Sequence, residues 1–224
     1  MDLKIKDLVE WLQVPEKTIY GWIQENRIPC YRINHQYRFS RSEINEWILK
    51  NKVDVSDRIM ASSDVTHPSL LPALLRNGDI YYDVPGQSVK DVLKNAIDLI
   101  PTPPQLDKEL VLSYLVQREE MMSTAVGNGI AIPHPRNPII SDIESECVAI
   151  CFLKNDIDFH ALDKLPVHTL FIILSANATR HLDILSKIGY LCRQEVFLAL
   201  LRKRAPREEV FACLEQEISK WRRP

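Results

Sequence analysis

The chain has 224 residues, 46% of them hydrophobic and 26% charged, enough for one large domain or two small ones with a buried core. Its 28 Lys and Arg stand against 30 Asp and Glu, a net charge of −2, which excludes a wholly basic nucleic-acid binder but not a locally basic module. No apolar run approaches the ~20 residues of a membrane helix, and the opening Met1-Asp2-Leu3-Lys4 has no signal-peptide core, so a cytoplasmic protein is expected. Five cysteines without a CxxC pair support neither a disulfide framework nor a zinc ribbon.

Charge divides unevenly along the chain. Residues 1–52 carry 9 basic and 7 acidic side chains, and the remainder 19 and 23. Arg27, Arg32, Arg38 and Arg41 fall in a stretch without an acid. Trp11, Trp22 and Trp47 also lie in this segment, which needs large side chains to close a small core. A separate mini-domain over 1–52 is expected.

Ile5, Leu8, Val9 and Leu12 share one face of a short helix. Pro15 ends it and suits the first turn of a second helix over 16–25, with Ile19, Trp22 and Ile23 inward. Lys17, Thr18, Tyr20, Gly21 and Gln24 fall on the other face, and Asn26 closes the helix in a left-handed conformation. Tyr31-Arg32-Ile33 and Tyr37-Arg38-Phe39 flank a polar Asn34-His35-Gln36 and form a hairpin. Ser40 and Glu43 make a capping box that opens a third helix carrying Ile44, Trp47 and Ile48.

Helix, turn, helix, arginine-tipped hairpin and helix form a winged helix-turn-helix. A helix with a small polar face fits the major groove, and arginines beside it meet phosphates or enter the minor groove. Lys17, Thr18, Tyr20, Gln24, Arg32, Arg38 and Arg41 are the candidate DNA contacts. The competing reading of these arginines is a solvated hairpin edge. The runs 3–7, 14–23 and 27–29 with Tyr37-Arg38-Phe39 resemble the excisionase-type, MerR-like DNA-binding domains. Gly21 departs from that pattern, standing where a long basic or polar residue is common. One such module offers a footprint of about 600–1,000 Å², so a homodimer is expected.

Residues 53–68 lack sustained apolar periodicity and read as a linker. Over 69–220, helices are expected at 70–75, 88–100 (capped by Ser88), 107–117, 180–192, 194–201 and 207–218. Strands are expected at 80–82, 129–132, 147–153 and 169–174, the last two buried on both faces. The fold class is α/β, a small winged helix-turn-helix domain followed by an α/β sandwich with a central mixed sheet.

The densest chemistry runs from Ser123 to Arg136. Gly127 and Gly129 permit close backbone approach. A buried strand then ends at His134, held between Pro133 and Pro135. A neutral imidazole there is a competent nucleophile, and phosphoryl transfer needs positioning and positive charge around it. Arg118, Ser123, Thr124 and the amides near Gly127 and Gly129 supply candidates. His160, Asp163 and His168 lack the fixed spacing of a metal site, and no metal or cofactor is expected.

Arg118-Glu119, Ser123-Thr124, the run 127–134, Asp158-Phe159, Ala161-Leu162-Asp163, the run 166–171 and His181-Leu182 with Ile184-Leu185 resemble the enzyme IIA domain of the fructose/mannitol and nitrogen-regulatory type, from the bacterial phosphotransferase system. The resemblance implies that His134 accepts a phosphoryl group from HPr or a nitrogen-branch HPr-type donor. It implies that Arg118 is the phosphate-binding arginine and His181 the second active-site histidine, with Ser123 and Thr124 hydroxyls on the phosphate. Pro135 stands where a small residue is usual, and His160 and Lys164 where glycine is more frequent. Together the halves imply a phosphotransferase-linked DNA-binding regulator rather than a free-standing metabolic enzyme. The alternatives are a phosphocarrier serving enzyme IIB, or a regulator whose head grips a protein. Each needs a ring that is reachable and within about a nanometre of Arg118 and His181.

Overall fold

A computed structural model of the chain describes residues 3–12, 14–33, 36–40, 43–44, 47, 70–103, 106–140, 143–176 and 178–221. They divide into two compact units, one within the residues up to Thr66 and one spanning His67–Trp221. The expected linker over 53–68 and Arg41 lie outside the described residues, as do Asn34, His35 and most of the third helix.

In the first unit, α1 (Ile5–Leu12) and α2 (Glu16–Gln24) are joined through Pro15, which caps α2 with extended backbone. Asn26 takes φ 52° and ends the helix as its short polar side chain allows. Strands β1 (Tyr31–Ile33) and β2 (Gln36–Arg38) pair antiparallel, and a bridge from Leu3 to Phe39 ties the hairpin to the start of the unit. Leu8, Leu12, Ile19, Ile23, Ile28, Phe39, Ile44 and Trp47 form its core. Trp22 leans on Trp47 with ring centroids 4.9 Å apart, which shows why so few residues need such large side chains.

The second unit is a five-stranded mixed sheet between two helical layers. Its elements are α3 (Leu70–Gly78), β3 (Ile80–Val84), α4 (Val89–Leu99), α5 (Lys108–Met121), β4 (Ala125–Gly127), β5 (Ile130–Ala131), β6 (Cys147–Ile157), β7 (Val167–Leu174), α6 (Ala178–Leu191), α7 (Glu195–Arg202) and α8 (Arg207–Lys220). The order is β3-β6-β7-β5-β4. Neighbours β3–β6 and β5–β7 run parallel, and β6–β7 and β4–β5 antiparallel. Strand alternation sorts the apolar runs. Cys147, Ala149, Cys151, Leu170 and Ile172 join the cluster with α4 and α5. Phe171 faces the opposite way, onto Phe197 of α7. Ser88 caps α4 by accepting from Asp91 N at 3.2 Å.

The expected segments coincide with the six described α-helices of this unit and four of its described strands, but not with the 3-10 turn at Ile143–Ser145. They overlook β4, whose three residues, Ala125, Val126 and Gly127, carry no alternation long enough to register. The left-handed conformations at His160 (φ 55°) and Lys164 (φ 60°) show what glycine would do at the two positions where the resemblance expects it.

Candidate active site

Strands β5 and β7 run parallel and their carboxyl ends open on the same edge of the sheet. Past Ala131 the chain stays against β7, Ile173 N donating to Pro133 O at 3.1 Å, and delivers His134. Past Leu174, Ser175 leads into α6, whose fourth residue is His181. The two rings meet with centroids 4.8 Å apart and planes inclined by 53°. Arg118 comes from the last turn of α5, where its Nη1 donates to Met122 O at 2.5 Å.

The imidazole of His134 has a defined tautomer. Its Nδ1 lies 2.7 Å from Ile132 O, which can only accept, so Nδ1 carries the proton and Nε2 keeps its lone pair. Burial pushes the pKa of His134 down to about 3, and the neighbouring Arg118 guanidinium acts in the same direction. The bond to Ile132 and the Glu119 carboxylate oppose the shift. His181 lies well below its ordinary value through burial, then His134, then Arg118. Its Nδ1 is 3.1 Å from Ser175 Oγ. The two rings are neutral and the Glu119 carboxylate is close enough to act on His134, so the buried Arg118 guanidinium is the group suited to an anion.

One expectation fails. A phosphoryl acceptor has to be reachable, yet His134 is 2% exposed and His181 7%. A cavity of about 440 Å³ beside α4 and α5 is lined by Glu119 and Ser123 but by neither histidine. The segment that delivers the ring is itself buried, Ile132, Pro133 and Pro135 included, and His181 lies against the ring.

The other nominated residues separate. Thr124 sits on the strand pair that carries the histidine, accepting from Ile132 N at 3.1 Å through its carbonyl. Its hydroxyl donates to Glu119 Oε2 at 2.6 Å. The Ser123 hydroxyl donates to Phe159 O and accepts from Ala125 N at 3.2 Å. Gly127 (φ 92°) and Gly129 (φ 73°) form the turn between β4 and β5, at the end of the hairpin away from His134. A Cβ on Gly129 would meet the His168 ring at 2.4 Å, and one on Gly127 would meet Asp163 Oδ2 at 2.9 Å. These glycines therefore serve close packing at the far end, and their amides are not gathered around His134. Asp163 accepts from Asn128 N at 2.8 Å, and His168 Nδ1 contacts Thr169 Oγ1 at 2.7 Å, so both have local partners. Among the described residues no group of three His, Cys, Asp or Glu could hold a metal ion. Ser175, Glu146 and Arg180, which meet around the start of α6, are not among the residues the sequence nominates; an acid directly before an apolar strand is the available cue.

In the first unit Lys17, Tyr20 and Gln24 are exposed on α2 and Thr18 is half-buried. Tyr20 packs edge-on to Tyr37, with centroids 6.2 Å apart. The hairpin register pairs Arg32 with Tyr37 and Tyr31 with Arg38. Cross-strand partners share a face, so Arg32 lies on the side of Tyr37 and Tyr20, and Arg38 lies on the other. Arg38 Nη2 donates to Gln36 Oε1 at 2.8 Å, and Tyr31 donates to Glu43 Oε1 at 2.5 Å.

Residues 73–217 match the family described as phosphoenolpyruvate-dependent sugar phosphotransferase system, EIIA 2. The chain belongs to that family. Residues 3–52 match a helix-turn-helix domain, so the EIIA domain is joined to a helix-turn-helix head. The nitrogen regulatory protein of Pseudomonas aeruginosa is 39% identical over 122 residues, 53% of this chain and 77% of that protein. The fructose-specific EIIABC component of Bacillus subtilis is 29% identical over 133 residues, 57% of this chain and 20% of its own length. The nitrogen regulatory protein IIA-Ntr of Neisseria meningitidis superposes with a TM-score of 0.55 at 31% identity, covering 65% of this chain and 99% of that one. A putative IIA domain of Streptococcus pyogenes, 15% identical with a TM-score of 0.53, covers 67% and 99% and shares the fold. No described helix is long and apolar enough to cross a membrane.

Proposed function

We propose that this chain is a cytoplasmic, phosphotransferase-linked DNA-binding regulator whose EIIA domain carries a phosphoryl group on His134. The observation that supports it best is the pairing of His134 with His181 beside Arg118, with Nδ1 committed to Ile132 O and the ring lone pair on Nε2. In the transfer, the Nε2 lone pair forms a bond to phosphorus as the phosphorus–nitrogen bond of a phosphorylated HPr-type donor breaks. The leaving electron pair stays on the donor's ring, and the Nδ1 proton remains on His134. Arg118 and His181 stabilise the equatorial oxygens. The depressed pKa keeps His134 neutral at physiological pH. Because the ring is buried, local opening has to precede the donor's approach. Ser123 and Thr124 reach the phosphate only by giving up their present partners, and Gly127 and Gly129 have no part in holding it.

The head binds DNA through Lys17, Thr18, Tyr20 and Gln24 on α2, with Arg32 on the adjoining hairpin face. Arg38 and Arg41 are assigned to backbone phosphates. One module of this size calls for a homodimer or paired sites. The experiment is transfer of labelled phosphoryl groups from purified HPr and its nitrogen-branch counterpart to the wild-type and His134→Ala proteins. Acid-labile label is expected on the wild type and none on the variant. Label on a folded His134→Ala protein sinks the assignment. The fructose-specific relative favours a second reading, a relay to enzyme IIB; rapid passage of label from His134 to a IIB acceptor would select it.

A further inference from the structure

Glu146, the residue before β6, is 0% exposed. Its carboxylate accepts from Ala176 N at 2.7 Å and from Arg180 Nε at 2.5 Å, and the Arg180 Nη2 completes the ion pair. Its own backbone is fixed, since its carbonyl accepts from Asn77 Nδ2 at 3.1 Å and its N–H donates to Ile143 O at 3.2 Å. Cys147 pairs with Leu174, so Glu146 stands across from the point where β7 releases the chain. Ala176 lies in the released segment and Arg180 in the first turn of α6. The same segment holds Ser175, whose hydroxyl contacts His181 Nδ1, and it delivers His181 to His134.

A buried ion pair contributes little stability over well-packed apolar residues; in some proteins what it contributes instead is a fixed geometry. Here the fixed geometry is that of one connection, and its product is the place of one histidine. We propose that Glu146 and Arg180 are positioning residues for His181, clamping the β7–α6 connection so that the second ring stays over the first. The inference rests on the phosphohistidine reading above. Neither residue is assigned a contact with the phosphoryl group; both act through the Ser175–His181 segment.

The test uses full-length Glu146→Gln, Arg180→Gln and Arg180→Lys proteins. Glu146→Gln keeps an acceptor for Ala176 N and loses the charge. Arg180 is 16% exposed in its side chain, so its variants serve if Glu146→Gln does not fold. Two readouts are taken, the ring ¹⁵N signals of His134 and His181, and kcat and KM for phosphorylated HPr. Glu146→Gln and Arg180→Gln are expected to move both sets of ring signals and to lower kcat by about tenfold or more, as misplaced catalytic groups do, with KM changed less than about twofold. Arg180→Lys is expected to recover part of the kcat. Folded variants with wild-type ring signals, or a loss confined to KM, overturn the proposal. If the wild-type protein accepts no phosphoryl group, the phosphohistidine reading fails; the ring signals still decide, since unmoved signals overturn the clamp and shifted signals uphold it.

Discussion

His134 carries two consequences of burial that can be separated. The first is chemical, a neutral ring whose Nδ1 carries the proton and whose Nε2 carries the lone pair. The second is energetic. With a folded pKa of about 3 against an unfolded value of about 6.5, the unfolded chain binds more protons between those limits. Stability therefore rises with pH in that window, and falls as pH drops from about 6.5 toward 3. The limiting slope is about 1.4 kcal/mol per pH unit for one histidine. His181, also depressed, adds a slope of the same sign. Urea unfolding at pH 7 and pH 5 checks this. The midpoint is expected to be lower at pH 5, and the drop smaller in His134→Gln. Equal drops in both proteins would mean the ring is not held neutral by burial. The histidines were legible in the sequence because a dense local motif marks them. The roles of the hydroxyls and glycines were not, since Ser123, Thr124, Gly127 and Gly129 are adjacent in the chain but divided by the length of a hairpin. Only the register shows that the turn and the histidine lie at opposite ends. Lys164 shows the converse, a departure from the family pattern readable as strain. Its φ of 60° is expensive for a side chain, and Lys164→Gly is expected to raise stability by up to about 1 kcal/mol, read by thermal unfolding.

At the scale of elements, local chemistry was legible wherever it was self-contained. Ser88, Pro15 and Asn26 act on their own helices, and each does what its residue type dictates. Strand β4 was not legible because its pairing with β5, rather than its three residues, makes it a strand. Helix α2 is the element where sequence and function pull apart. Gly21 sits in its interior, and among the described residues no atom lies within 4 Å of where its Cβ would stand, so the described packing does not demand glycine there. Gly21→Ala is expected to stabilise the head by about 1 kcal/mol, measured by thermal unfolding, and no gain would mean an unseen constraint on that position. The hairpin supplies a sharper test. Arg32 shares a face with Tyr37 and, through it, with α2, while Arg38 is turned to the other side and bonded to Gln36. Arg32→Ala should therefore weaken binding to a cognate site more than Arg38→Ala does. Equal losses would assign both arginines to phosphates alone.

At the scale of the whole molecule, the sequence distinguished two units and the chemistry of each. It was silent on how one informs the other, because communication between domains leaves no local pattern. A phosphoryl group adds about −1.5 to −2 charge near neutral pH, comparable in size to the net charge of −2 on the entire chain. If that charge alters DNA affinity, linkage demands the reverse as well. A change in the dissociation constant for DNA by some factor requires the phosphotransfer equilibrium with the donor to shift by the same factor when DNA is saturating. Coupling is thus measurable twice on one protein, once as DNA affinity with and without label on His134, and once as the donor–acceptor equilibrium with and without DNA. The two factors are expected to agree and to differ from one. Salt separates this from general repulsion, because screening weakens long-range effects of the added charge at high ionic strength. A change in affinity that persists at high salt points to an altered dimer or docked state. One that vanishes points to the charge acting through space on the phosphate backbone. Full labelling with both ratios at one would leave two working domains that do not speak to each other.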